Sequence, residues 1–136
     1  PIEGEADSLS AILLDKNYYA CLQKGTVVID DVRMLRPEYL LVFKAKAYLD
    51  LVEKKKEGLV VKSGDIKKHR LDVFRVFQLL STELRVQLPE DVRTEVEDFV
   101  DVMRSDPPDI KVIGIKTISA GEVLDNIVKI YSLNTG

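Results

Sequence analysis

Two stretches of this chain place cations where chemistry could use them. In Leu40-Leu41-Val42-Phe43-Lys44-Ala45-Lys46-Ala47-Tyr48-Leu49-Asp50, two lysines interrupt an apolar run. In Asp65-Ile66-Lys67-Lys68-His69-Arg70-Leu71-Asp72-Val73-Phe74, a basic cluster leads to an aspartate. At helical spacing the neighbours of Lys44 are Leu40, Leu41, Ala47 and Tyr48, so its ammonium emerges from an apolar surround. Two readings follow. Either the ammonium reaches a phosphate as a point charge, as cationic clamps do in phosphoryl transfer, or it snorkels and lays its stem across the core edge. Lys46 precedes Asp50 by four positions and reads as an ordinary surface pair worth a few tenths of a kcal/mol.

On the second stretch, Asp72 lies four residues after Lys68, three after His69 and three before Arg75. On a helix these four side chains share one polar stripe. Functionally, the aspartate could hold a catalytic lysine or a water in place while Lys68 and His69 meet phosphate oxygens. The plain alternative is a solvated face laced with intrahelical ion pairs.

Other chemistries find little support. His69 is the one histidine, so no two-histidine metal site can be assembled, and no metal ligand is assigned. A Ser-His-Asp triad has no nucleophile-elbow or glycine-rich context, and no phosphate-cradling glycine motif occurs. Asp30-Asp31 and Glu3, Glu5 and Asp7 are acidic groups of the kind that suits Mg²⁺. Turn chemistry explains the first pair more simply.

The chain has 136 residues, of which 46% are apolar and 32% charged, values typical of a folded globular domain. A net charge of -3 argues against general DNA binding. Cys21 is the one cysteine, which leaves no intrachain disulfide and fits a reducing compartment, so a cytoplasmic location is expected. No apolar run approaches the roughly 18 residues that span a bilayer, so no membrane association is expected.

These candidate residues need elements to hold them. The expected fold is mainly α (α+β): about four main helices with a small N-terminal β-hairpin. Ser8 to Leu14 reads as either a short buried strand or the start of a helix, which periodicity does not separate at this length, with the strand preferred and a short helix through Tyr18, Tyr19 and Leu22 after it. Val27–Ile29 and Val32–Leu35 flank Asp30-Asp31 as a hairpin with a two-residue turn. A helix from Pro37 to Glu57 has Leu41, Ala45, Tyr48 and Val52 as its core stripe and Gly58 as its stop. A second helix starts at Ser63 as N-cap, carries Ile66, Val73, Phe77 and Leu80 on one side, and packs antiparallel to the first. Pro89 opens a third, with Val92, Val96, Phe99 and Met103 in register and Pro107-Pro108 as terminator. Ile110 to Ile115 is either a short strand or an extended link. Ser119 and Glu122 form a capping box for a fourth helix carrying Val123, Ile127 and Ile130. All of residues 1–136 read as one domain, mixed α/β over 1–36 and mainly helical over 37–136.

At the two stretches quoted first, the chain resembles the C-terminal half of the AbiEii-type nucleotidyltransferase-like proteins, the toxin halves of type IV toxin–antitoxin systems. The resemblance covers residues 2–82. The family's lysine in Leu-x-x-x-Lys-x-x-Ala falls on Lys44. Its next motif, a basic residue and an aspartate with a second aspartate three positions on, falls on Lys68, His69 and Asp72, with histidine in place of the first aspartate. The resemblance implies that Lys44 contacts nucleotide phosphates and that Asp72 orients the nucleotide or assists the acceptor, with Lys68 and His69 beside the phosphates.

It also implies Mg²⁺ and a nucleoside triphosphate for the whole protein. The family holds these on a Gly-Ser pair and on carboxylates of the two following strands, and neither pattern occurs here. The chain alone is therefore expected to be inactive and to carry no cofactor. Pro1 and the residues after it read like the middle of a polypeptide, so a C-terminal portion of a longer protein is expected. The implied partners are an antitoxin protein and a tRNA or protein acceptor. The competing expectation is a non-catalytic helical interaction module that meets an antitoxin through the stripe of the third helix.

Overall fold

In the computed structural model, residues 11–135 are described. Helix α1 spans Lys16–Gly25, and strands β1 (Thr26–Ile29) and β2 (Val32–Leu35) follow it. Then come α2 (Pro37–Lys56), α3 (Ser63–Phe77), α4 (Glu90–Ser105) and α5 (Ala120–Ile130), with a 3₁₀ turn at Ile110–Ile113 before the last. The mainly helical architecture with one small hairpin is the expected one.

Residues 11–13 are helical, the second of the two readings and not the preferred strand, and Ser8 to Ser10 lie outside the described residues. The burial shows why: Ile12 is buried and Leu13 is half-buried beside it, so the in-and-out alternation of a strand is missing. Asp15 then caps α1, its carboxylate accepting from the Asn17 amide at 2.8 Å. At the other end Gly25 is buried because nothing larger fits. A Cβ there would lie 2.7 Å from Tyr39 Cβ and 2.8 Å from Leu35 Cδ1.

The hairpin pairs Ile29 with Val32 and Thr26 with Leu35 in antiparallel register. Its two-residue turn is Asp30-Asp31, at φ 51° and 64°. Positive φ at both positions is the backbone whose twist matches the flanking strands.

Helix α2 occupies the centre, packed against α1, α3 and α4. This explains why Val42 and Phe43 are buried alongside the expected Leu41, Ala45 and Tyr48. Gly58 ends the segment in the left-handed region, at φ 86°. Helix α3 begins at Ser63 itself with Lys62 as N-cap, not Ser63, and no side chain caps it. In α4, Pro89 is the N-cap and the helix stops ahead of Pro107. Its stripe of Val92, Val96, Phe99 and Met103 is wholly buried, so it belongs to the core and offers no antitoxin a surface.

Ile110–Ile113 form a 3₁₀ turn, neither a strand nor an extended link: Asp109 accepts from the Lys111 amide, Ile110 anchors inward and Gly114 closes it at φ 87°. Helix α5 carries the expected capping box, with both reciprocal bonds between Ser119 and Glu122 formed. One buried cluster joins these elements, running from Tyr18 through Leu41, Phe74 and Phe99 to Ile130. Tyr48 meets Phe99 edge to face with ring centres 5.5 Å apart.

Candidate functional site

The two sequence stretches become adjacent rods, since α2 and α3 pack against each other. Lys44 on α2 reaches across it, and its Nζ lies 3.1 Å from Oδ2 of Asp72 on α3. The other carboxylate oxygen, Oδ1, accepts from Arg75 Nη1 at 2.8 Å, one turn further along α3. Each oxygen of Asp72 thus holds one cation. The apolar surround expected for Lys44 is present: Leu41, Ala47 and Tyr48 are buried and Leu40 is half-buried.

Two cations and one anion leave this cluster with a formal excess of one positive charge. The Asp72 side chain is 13% exposed, that of Lys44 27% and that of Arg75 48%, so the excess lies toward solvent. Burial alone would raise the pKa of Asp72, but the hydrogen bonds from Arg75 and Lys44 outweigh it and the carboxyl titrates below its ordinary value. It is therefore an anion at neutral pH. An anionic group arriving at the rim would compete with Asp72 for the two cations, which Asp72 meanwhile holds in position.

Lys68 is exposed one turn before Asp72, as a shared stripe requires. His69 is not on that exposed stripe. It is buried, because it sits four residues before fully buried Val73 and three after half-buried Ile66, on the margin of the inward face.

A second charged constellation escaped the local spacing. Lys46 Nζ lies 3.1 Å from Asp50 Oδ1, the expected pair, and also 2.5 Å from Oε2 of Glu95 on α4. The same ammonium lies 5.5 Å from the centre of the Tyr18 ring on α1. Burial works against the Lys46 charge, yet the hydrogen bonds of Glu95 and Asp50 prevail and raise its pKa. Burial, with Glu95 and Asp50 adding to it, pushes the Tyr18 hydroxyl far above its usual range. Tyr18 therefore stays neutral and supplies no base. The constellation braces α1, α2 and α4, and only its Asp50 arm was legible from the sequence.

Among the described residues no three or more His, Cys, Asp or Glu side chains gather in a way that could hold a metal ion. Asp30 and Asp31 occupy the hairpin turn, and Glu3, Glu5 and Asp7 lie outside the described residues. Among the described residues no cluster of side chains fits the Mg²⁺ implied for the whole protein. Also among the described residues, no helix is long and apolar enough to cross a membrane. Compared with protein-family models, with curated proteins and with solved structures, the chain finds no match.

Proposed function

We propose that this chain is the helical, phosphate-contacting part of a nucleotidyltransferase-like protein that moves a nucleotide from a nucleoside triphosphate to a nucleic-acid or protein acceptor. The supporting observation is the meeting of Lys44 and Asp72 across two helices, at 3.1 Å and at the edge of solvent. In this reading Lys44 places its ammonium on an oxygen of the triphosphate. Asp72 is an orienting carboxylate that fixes the ammonium before the nucleotide arrives, which lowers the entropy lost on binding. Arg75, on the other oxygen of Asp72, adds charge to the same rim.

The reaction transfers the nucleotidyl group to an acceptor hydroxyl and releases pyrophosphate and a proton. The carboxylates that would hold Mg²⁺ belong, in this reading, to a further part of a longer polypeptide, and the chain alone is inactive. A cytoplasmic setting, an antitoxin protein and a tRNA or protein acceptor are parts of the same proposal.

The test uses the longer polypeptide with labelled nucleoside triphosphates and a bulk tRNA acceptor. Lys44→Ala and Asp72→Ala should each reduce transfer by about 100-fold or more, the scale of removing one preorganised electrostatic contact at a transition state. Circular dichroism should stay that of a folded helical protein. Unchanged turnover in both variants would remove the reading.

A second reading, a non-catalytic interaction module, is favoured by one observation. Ile29, Val32 and Met34, which share one face of the hairpin, are all more than half exposed, an apolar surface of the kind that partners cover. Binding of a protein partner that is lost on Ile29→Ser together with Val32→Ser, with no transfer activity in the longer polypeptide, would select it.

A further inference from the structure

A cavity of about 400 Å³ lies away from the Lys44 cluster, between the segment that precedes α4, α4 itself and the end of α5. Arg85, Val86, Gln87, Leu88, Arg93 and Ser132 line it. Its construction follows from the chain. Residues 85–88 alternate exposed, buried, exposed, buried, and the Val86 amide is tied to the Ile130 carbonyl at 2.7 Å. This alternation turns Val86 and Leu88 to the core and sends Arg85 and Gln87 together to the other side.

Two arginines therefore line one site in a chain whose net charge is negative. Arg85 is held in place, its Nη1 donating to the carbonyls of Thr82 at 2.9 Å and Leu84 at 2.7 Å. Arg93 projects from the first turn of α4 with its side chain one-third exposed; its Nε, like those of Arg70 and Arg104, is closed to solvent, so the outer part of the guanidinium is what a ligand would meet. The nearest carboxylate, Glu97, stands off at 3.9 Å, because its Oε2 accepts the Asn134 amide at 2.6 Å. Glu97 therefore offsets only part of the Arg93 charge.

We propose that this cavity binds the phosphate group of a small phosphorylated molecule. Arg93 offers the fork geometry that matches two oxygens of a phosphate, and Arg85 is the second cation. Gln87 and the Ser132 hydroxyl add neutral partners. The volume falls within the range of small-molecule pockets.

The experiment is an amide and arginine-Nε NMR titration of this chain with inorganic phosphate. Acetate and chloride serve as parallel arms at matched ionic strength. Saturable shifts at Gln87, Ser132 and Arg93 Nε are expected with phosphate alone. Arg85→Gln, an exposed position whose change leaves the core untouched, should weaken phosphate binding by about tenfold, as should Arg93→Gln. Shifts that track chloride, that acetate reproduces with equal affinity, or that persist unchanged in Arg85→Gln would overturn the assignment. So would the absence of saturable shifts in the wild-type chain.

Discussion

Lys44 and Asp72, on consecutive helices, close a 3.1 Å ion pair at the margin of the core. Arg75 engages the second oxygen of the same carboxylate. Replacing Asp72 with asparagine keeps the shape and removes the charge, so both cations lose their anchor. The expected loss is about 1–2 kcal/mol, between that of an exposed ion pair and that of a buried charged hydrogen bond. Urea unfolding measures it. A double-mutant cycle with Lys44→Met should return a coupling of about 0.5 kcal/mol or more. Simple additivity would mean that the pair does not link α2 to α3.

The same carboxyl sets a pH dependence. Its folded-state pKa lies below its ordinary value of 3.8, so its stabilising contribution is complete above that value. That contribution is lost as the pH falls through the lower folded value. Wild-type protein should therefore lose stability below about pH 3.8 more steeply than Asp72→Asn. Coincident acid limbs for the two proteins would rule this carboxylate out as a contributor.

Much of this arrangement was legible in the chain, and the reason is local. Helical spacing around Lys44, the turn signal at Asp30-Asp31 and the Ser119–Glu122 capping box each depend on residues within a few positions of one another. What depended on distant partners was not legible. Glu95 meets Lys46 only because α4 is laid against α2, and no spacing within either helix announces that. His69 was read onto a charged face because its sequence neighbours are charged, whereas the inward margin of α3 captured it. Residues 11–13 show the limit for short apolar runs, in which helix and strand present the same composition.

Lys46 should prove more important to stability than an ordinary surface lysine. Its ammonium holds Glu95 and Asp50 together over the Tyr18 ring. Lys46→Ala leaves two half-buried carboxylates facing each other without a cation, at an expected cost of about 2–3 kcal/mol. Adding Glu95→Gln should recover part of it by relieving the repulsion. Urea midpoints of the two variants decide the matter. A cost within about 0.5 kcal/mol, the ordinary range of surface substitutions, would return Lys46 to the role its spacing first suggested.

Gly25 is held by contact, not by backbone strain. A methyl group there would lie 2.7 Å from Tyr39 Cβ and Cγ, and neither atom is the far end of a flexible side chain. Gly25→Ala must push α1 away from the start of α2, at an expected cost of about 1–3 kcal/mol, the scale of overpacking. Thermal unfolding should show a clearly lower midpoint. An alanine variant as stable as wild type would show that the junction of α1 and the hairpin is looser than its geometry.

The hairpin turn offers a change in the opposite direction. Asp30 and Asp31 both adopt positive φ, a region that disfavours most L-residues, and they set two like charges side by side at an exposed tip. Asn-Gly is the pair best suited to such a turn. Asp30→Asn with Asp31→Gly should therefore stabilise the protein by about 0.5–1 kcal/mol, read as a higher urea midpoint at unchanged slope. If the two aspartates instead served to hold a cation, adding Mg²⁺ or Ca²⁺ would raise the midpoint of the wild type and not that of the variant. A midpoint indifferent to either ion in both proteins would leave the turn as the whole reason for the pair.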